Sequence, residues 1–344
     1  LLINGVMTVA QRSTSVTGLG ATAGYFGLDR WKTDFSSTAG RLTLTQDSSV
    51  PTGEGFFDSL KVACTTADTS IAAGEQFTIE QMIEAQNCQV ISKGTSGAKP
   101  LTLSFYCKAN ANATYVVELY AQDVDRRISS LFNVTTDWTR VTVTFPADTT
   151  GEITNDNGGG IKVSWWLHAG SNYSGGTLQT TWAAAADNTR ATGGDSFFDS
   201  TSRTFFLTGC QLEVGQNATT FEHEPFERTL LKCKRYLQVY NSYGASYAHF
   251  PSLGQGNASS INWNHELPTQ MRDTPTLETS GDWRVQDTYG GSYYTLSSIS
   301  ISSGDSTDKL VRGSATTSSA IGTDIGRILS YGDSSARWTY KSEL

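Results

Sequence analysis

Apolar residues recur at every second position in four neighbouring segments, and this alternation constrains the fold more than any other feature of the chain. The segments are Leu101–Lys108, Tyr115–Ala121, Arg140–Phe145 and Ile161–His168. A period of two places the apolar side chains of a strand on one face and the polar side chains on the other. Because a buried inner face needs a second sheet laid over it, the pattern predicts a β-sandwich.

Composition and charge exclude several classes of protein. Charged residues make up 17% of the chain, which is low for a helix-rich soluble protein. The formal charge of −8 argues against a nucleic-acid partner, since such binding depends on Lys and Arg neutralising phosphates. No run of about 18 apolar residues occurs, so no membrane insertion is predicted. The sequence opens at Leu1 inside strand-like sequence, and we therefore expect a preceding attachment segment.

The remaining segments predict an all-β chain in which one helix separates two domains. Residues 1–221 are predicted to form a β-sandwich, and residues 241–344 a second, smaller β-sandwich of about eight short strands. Between them, residues 222–240 begin with acidic and continue with basic side chains, as the helix dipole favours. The apolar stripe expected on this helix consists of Phe226, Leu230, Cys233 and Leu237. Such a helix either connects the two domains or self-associates around a symmetry axis.

The cysteines and acidic residues give little reason to expect a metal or a cofactor. The five cysteines show neither a C-x-x-C motif nor a Cys/His spacing that suits zinc, so we expect buried free thiols. The loop at 155–160 contains Asp156 and Asn157, whose oxygens offer calcium as an alternative. The ligand spacing of an EF-hand is absent from this loop.

The common enzyme motifs are absent as well. The chain has no G-x-S-x-G, H-E-x-x-H or G-x-G-x-x-G motif and no Walker loop, so no catalytic residue is predicted. A polysaccharide-degrading enzyme stays open as an alternative, because glycosidases need two carboxylates about 5 to 10 Å apart. Glu118 with Asp123 or Asp125 is an example of a pair that strands can bring together.

The alternation also predicts a set of outward-facing aromatic and charged side chains. Sugar rings stack their C–H faces on aromatic rings and offer hydroxyls to polar neighbours, so such a surface suits a glycan. The candidate ligand-binding residues are Tyr106, Glu118, Tyr120, Arg140, Trp166 and His168 on the strands, with Tyr173 and Trp182 in the loop that follows. The alternative, which we favour for Trp166 and Tyr120, is that these rings lie under a loop or a subunit contact.

Several strings of residues together resemble a known family. They include Asn4-Gly5-Val6-Met7-Thr8, Leu28-Asp29-Arg30-Trp31, Gln81-Met82-Ile83-Glu84-Ala85 and Gly209-Cys210-Gln211-Leu212-Glu213. In this order they resemble tail-fibre and other virion structural proteins of bacteriophages, especially those of marine and cyanobacterial hosts. The resemblance covers about residues 1–240, and the first domain of such proteins is similar to a jelly-roll carbohydrate-binding module.

The resemblance implies a non-enzymatic virion protein rather than a particular ligand site. We expect a tail-fibre component for host adsorption, assembled as a homotrimer and located at the surface of the particle. Its expected partners are other tail or capsid proteins and host surface polysaccharide, without a cofactor. A capsid decoration protein is the alternative with the same domains.

Overall fold

A computed structural model describes residues 1–241, 245, 247, 249–257, 259–287, 291–320 and 325–344. The chain divides into two compact units. The first consists of Leu1–Leu230 with Leu344, and the second consists of Leu231–Glu343. None of the helices in these described ranges is long and apolar enough to cross a membrane.

The first unit is a sandwich of two six-stranded antiparallel sheets. Its strands are β1 Ser15–Leu19, β2 Lys32–Ser36, β3 Arg41–Asp47, β4 Ser59–Thr66, β5 Gln76–Glu84, β6 Leu101–Ala109, β7 Ala113–Ala121, β8 Arg126–Val134, β9 Thr139–Phe145, β10 Gly159–Ala169, β11 Ala183–Ala184 and β12 Thr204–Val214. Sheet A has the order β1-β3-β4-β12-β6-β9, and sheet B has the order β11-β8-β7-β10-β5-β2. A one-turn helix, α1 Ser171–Ser174, follows β10.

The connections make this sandwich a jelly roll. Eight strands, β4 to β10 and β12, form its frame. Sheet A takes the first, eighth, third and sixth of them as β4-β12-β6-β9, while sheet B takes the second, seventh, fourth and fifth as β5-β10-β7-β8. Two Greek keys wound in this way define the jelly roll. The predicted fold class, an all-β chain with a jelly-roll domain, is confirmed.

Side chains from both sheets fill one core between them. The alternation predicted four strands, and these are β6, β7, β9 and β10. Trp165 of β10 is completely buried in the core. Its ring lies 5.5 Å from the ring of Trp31 and 5.5 Å from that of Phe105. Aromatic pairs at such separations add to the stabilisation from buried area. All five cysteines are buried free thiols, as predicted.

The helix between the two domains is shorter than predicted. It is α2, Phe226–Lys234, and the chain then enters strand β13, Leu237–Asn241. Leu237 pairs with Lys341, and this ladder continues to the end of the strand. The predicted stripe is therefore wrong as a helical face. Phe226 is 52% exposed, Leu230 is half-buried, Cys233 is buried, and Leu237 is buried as part of a sheet.

The second unit arranges its strands in a closed barrel and a small sheet, where the sequence predicted a second sandwich. The strands after β13 are β14 His249–Asn257, β15 Ser260–Glu266, β16 Thr276–Ser280, β17 Trp283–Asp287, β18 Tyr293–Ile301, β19 Leu310–Thr317, β20 Ile325–Ser330 and β21 Arg337–Lys341. The barrel has the order β14-β15-β19-β18-β17-β20, and the three-stranded sheet has the order β13-β21-β16. Closure of the barrel hydrogen-bonds the two edge strands of the sheet to each other. The two-residue alternation does not predict closure, because it shows only which face of a strand is buried.

Candidate functional site

The outer face of sheet B brings aromatic and charged side chains into ordered rows. We call the part of this face formed by Lys32, Glu80, Glu118, Tyr120, Arg127 and Lys162 the Tyr120 face. Residues directly opposite each other on neighbouring antiparallel strands hold their side chains in contact. The strand registers therefore determine which side chains meet.

The first row crosses β5, β10, β7 and β8. Met82 lies opposite Lys162, Lys162 opposite Tyr120, and Tyr120 opposite Arg127. The Arg127 guanidinium lies 4.7 Å from the centre of the half-exposed Tyr120 ring, and Lys162 Nζ lies 6.0 Å from it. With strands about 4.8 Å apart, this row extends about 14 Å across the sheet.

The Tyr120 hydroxyl is itself held in place. It donates a hydrogen bond to Asp125 Oδ1 at 2.9 Å. Partial burial and this hydrogen bond raise the pKa of Tyr120 above its ordinary value. The hydrogen bond to Asp125 thus gives the ring a defined orientation.

The second row consists of buried carboxylates and their cationic partners. Lys32 lies opposite Glu80, and Ser164 lies between Glu80 and Glu118. Glu80 is bound by Lys32 at 3.0 Å and by Lys162 at 3.0 Å. Burial alone would raise the pKa of Glu80, but the charges of Lys162 and Lys32 outweigh it and hold the pKa below its ordinary value.

The third row lies under a cover formed by residues 170–195. Trp166, in this row, is only 2% exposed. Its ring lies 5.4 Å from that of Tyr173, and the Arg190 guanidinium lies 4.4 Å from its centre. Arg190 also reaches into the second row, where Nε and Nη2 donate to the two carboxylate oxygens of Glu118 at 3.0 and 2.8 Å. Trp166 is therefore packed between sheet B and the cover. This agrees with the alternative favoured from the sequence, that the ring lies under a loop.

The eight predicted ligand-binding residues do not form one surface. Tyr106 and Arg140 lie on β6 and β9 of sheet A, on the opposite side of the sandwich from Tyr120. The prediction of a single sheet surface is wrong, because β6 and β7 follow each other in the chain but belong to different sheets.

Of the others, Tyr120 stands half-buried in the first row on sheet B. Glu118 and His168 are buried, and His168 Nε2 lies 3.0 Å from Glu75 Oε2. Tyr173 lies in the cover over Trp166. Trp182 donates its Nε1 hydrogen to the Pro146 carbonyl at 2.8 Å and packs partly against the core.

The outer face of sheet A has an aromatic cluster of its own. The Phe56 ring lies 5.4 Å from that of Tyr106, and it also contacts Phe221 and His223. The Tyr106 hydroxyl donates to Glu54 Oε2 at 2.8 Å. Phe56 is buried, so this cluster packs the segment after β12 onto the sheet.

Sequence reasoning missed the cations of the Tyr120 face. Lys32 and Arg127 stand on strands whose alternation is weaker than that of the four central segments. The sequence does not show which residue lies opposite Lys32 on the neighbouring strand. The strand register shows that it is Glu80, and this pairing gives Lys32 its role. The loop proposed as an alternative calcium site uses Asp156 Oδ1 to accept the Gly158 backbone N–H at 2.8 Å.

No family model matches the chain, and no curated protein matches it. Several solved structures are similar. One, described as "CBM4 structure and function", has 13% identity and a TM-score of 0.32, with 61% of this chain and 97% of that chain covered. The N-terminal cellulose-binding domain of Cellulomonas fimi β-1,4-glucanase C has 16% identity and a TM-score of 0.28, with 55% and 90% covered.

A phage protein is also among the similar structures. The enzymatically active domain of bacteriophage CBA120 tailspike protein 4 has 10% identity and a TM-score of 0.31, with 62% of this chain and 21% of that chain covered. The structural neighbours of this chain thus include carbohydrate-binding modules and a tailspike.

Proposed function

We propose that the chain is a non-enzymatic structural protein of a bacteriophage particle and that its first unit binds a glycan on the Tyr120 face. The observation that carries the glycan proposal is the half-exposed Tyr120 ring between Arg127 and Lys162. A sugar ring can pack its C–H groups against the exposed part of this aromatic ring while its hydroxyls bond to the charged groups beside it.

The rigidity of the face supports this proposal. Lys162 is held by Glu80 at 3.0 Å, and the Tyr120 hydroxyl is held by Asp125 at 2.9 Å. Both side chains stand on strands in the interior of sheet B. Binding groups that are already ordered lose little conformational entropy when a ligand arrives, and this favours affinity.

Two tyrosines on opposite sheets provide a matched experiment. Tyr120 and Tyr106 are both half-buried, and each donates its hydroxyl to a carboxylate, Asp125 or Glu54. We expect Tyr120→Ala to weaken binding to host surface polysaccharide at least tenfold in calorimetry, or about 1.4 kcal/mol. Tyr106→Ala should bind like the unmodified protein. Equal affinities of the two variants would refute the proposed site.

The role in a phage particle is supported by the sequence resemblance. A tail-fibre component for host adsorption is the leading form of this role, and a capsid decoration protein is the alternative. Immunogold labelling of intact particles distinguishes the tail from the capsid, and labelling of neither would overturn both. The proposed homotrimer predicts a mass in light scattering of three times 37.2 kDa. A monomer in that measurement would overturn the trimer.

A polysaccharide-degrading enzyme is the competing function from another class. The carboxylates considered for it have other partners: Glu118 binds Arg190, Asp125 accepts from Tyr120, and Asp123 accepts from the Thr154 backbone N–H at 2.9 Å. These contacts favour a binding role. Incubation with host polysaccharide should release no new reducing ends, and release that depends on Glu118 would overturn the non-enzymatic proposal.

A further inference from the structure

Two buried carboxylates of the β4–β5 connection and a buried histidine of β10 place their donor atoms close together. Asp68 lies in the connection after β4, Glu75 directly precedes β5, and His168 lies near the end of β10. Their donor atoms all lie within 4.8 Å of one another. The three residues are 6%, 4% and 1% exposed, so the cluster is withdrawn from bulk solvent.

Each of the three side chains is held by the surrounding protein. Asp68 Oδ2 accepts from the Thr38 hydroxyl at 2.9 Å and from the Ala39 N–H at 2.7 Å. Glu75 Oε1 accepts from the Ala72 N–H at 2.9 Å. These bonds orient the carboxylates toward the imidazole, where Glu75 Oε2 lies 3.0 Å from His168 Nε2.

The imidazole is oriented from its other nitrogen. His168 Nδ1 lies 2.8 Å from the Ser196 hydroxyl oxygen. When the Nδ1 hydrogen bonds to this oxygen, the lone pair of Nε2 points toward the two carboxylates. A partner on the far ring nitrogen that sets the tautomer in this way is typical of histidines that bind metals.

The charges of these three residues also favour a bound cation. In the part of the chain that the structure describes, no Lys or Arg forms an ion pair with Asp68 or Glu75. Asp68 and Glu75 also share a hydrogen bond, and the base beside them is His168. Burying two carboxylates beside a single histidine is costly, so proteins pair such groups or use them to bind metals. A divalent cation would balance the charges of the carboxylates and could also accept the imidazole nitrogen.

We propose that Asp68, Glu75 and His168 together bind one divalent transition-metal ion, with Zn²⁺ as the best match. Zinc accepts imidazole nitrogen and carboxylate oxygen together, whereas calcium and magnesium prefer oxygen ligands. With zinc–ligand bonds of about 2.0 Å, neighbouring ligands of a tetrahedral site lie about 3.3 Å apart. The observed donors, all within 4.8 Å, need to move only slightly to reach this spacing.

The position of the cluster gives the ion a structural role. His168 stands just before the cover at 170–195, and Ser196 stands just after it. The Glu75 carbonyl also accepts the Gly170 N–H at 2.8 Å. An ion held here would therefore tie the β4–β5 connection to both ends of the segment that covers Trp166.

The experiment uses the full chain, treated with EDTA, dialysed and titrated with ZnCl₂ in a calorimeter. We expect one ion per chain and a higher midpoint of thermal unfolding when zinc is present. His168→Gln and Glu75→Gln should bind zinc at least tenfold more weakly. Ser196→Ala should weaken binding roughly 10- to 100-fold, as loss of an orienting partner does. His223→Gln changes an exposed histidine that is not part of the Asp68, Glu75 and His168 group, and this variant should bind zinc normally.

Three results would overturn the proposal. They are the absence of stoichiometric zinc binding, unchanged zinc affinity of His168→Gln, and tight binding of CaCl₂ in place of ZnCl₂. If His168→Gln does not fold, CoCl₂ added to the unmodified chain provides a second test. The visible absorption of four-coordinate cobalt with nitrogen and oxygen ligands is expected, and a six-coordinate spectrum would count against the site.

Discussion

Arg190 and Glu118 form a forked ion pair in which both carboxylate oxygens are engaged, at 3.0 and 2.8 Å, on the outer face of sheet B. The Glu118 side chain is completely buried, and that of Arg190 is 12% exposed. The charge of Glu118 raises the pKa of Arg190 although burial acts in the opposite direction. The pair joins the cover at 170–195 to the centre of the sheet.

Removing one partner of this pair should be costly. We expect Arg190→Met to lower the free energy of unfolding by about 3 to 5 kcal/mol, because it leaves the Glu118 charge buried without a partner. Urea denaturation measures the loss. Arg203 is a matched control, since it forms a similar fork with Asp199, a residue whose side chain is 43% exposed. Arg203→Met should cost less than about 1 kcal/mol. A similar cost for both variants would contradict the importance of burial.

The buried carboxylate Glu80 predicts sensitivity to acid in the first unit. Its pKa is lower in the folded chain than in the unfolded chain, so the unfolded state takes up a proton first as the pH falls. The stabilisation is present above the ordinary glutamate pKa of about 4.3 and is lost as the pH falls through the folded value.

Comparing Glu80→Gln with the unmodified chain tests this dependence. The substitution should cost about 2 kcal/mol at pH 7, because it removes a charged acceptor from Lys32 and Lys162. The difference should shrink at pH 3 in urea denaturation. Glu266→Gln, at an exposed position, is the control. A constant difference across this range would show that Glu80 does not titrate as described.

Trp166 should contribute to stability rather than to ligand contact. Because it is buried under Tyr173 and Arg190, Trp166→Ala should lower the free energy of unfolding by about 3 to 5 kcal/mol. Trp166→Phe should lose less and should bind glycan normally. Thermal and urea unfolding check the first expectation, and calorimetry checks the second. A stable Trp166→Ala that loses only glycan binding would place this ring in the site after all.

His265 makes the second unit sensitive to acid in a different pH range. It is surrounded by aromatic rings, including Tyr240 at 4.7 Å and Phe250 at 4.9 Å, and burial lowers its pKa to about 4. An unfolded histidine has a pKa of about 6.5, so stability is complete above that value and is lost as the pH falls toward 4. The full loss is roughly 3 kcal/mol.

Replacing this histidine should remove the effect. We expect His265→Phe to keep its unfolding midpoint between pH 7 and pH 4.5, while that of the second unit in the unmodified chain falls. Fluorescence during thermal unfolding is a suitable measurement. His223→Gln serves as the control because His223 is exposed in the first unit. A midpoint of the unmodified chain that does not change with pH would contradict the lowered pKa.

The sequence predicted which face of each strand is buried better than it predicted which sheet the strand belongs to. Leu103 and Phe105 are buried in the core, as their alternation predicts. Alternation, however, separates only inside from outside, and both sheets of a sandwich have an outside. Tyr106 and Tyr120 therefore looked alike in the sequence, although β6 and β7 lie in different sheets.

Local patterns also failed where long-range pairing decides the structure. Leu237 continues the apolar spacing of α2, yet pairing with β21 draws it into a strand. The burial of Trp166 depends on Arg190, which is 24 positions away in a segment without regular alternation. Likewise, Asp68, Glu75 and His168 show no motif spacing, because the fold brings the β4–β5 connection next to the end of β10.

The cover at 170–195 is attached to the jelly roll at both of its ends. The Gly170 N–H bonds to the Glu75 carbonyl at 2.8 Å, and the Asp195 N–H bonds to the Thr114 carbonyl at 2.7 Å. Between these anchors, Thr180 and Thr181 are exposed. Extra residues inserted at this point would project outward and would leave the order and pairing of the strands unchanged. The segment is therefore a suitable position for displaying a foreign peptide or an affinity label on the scaffold.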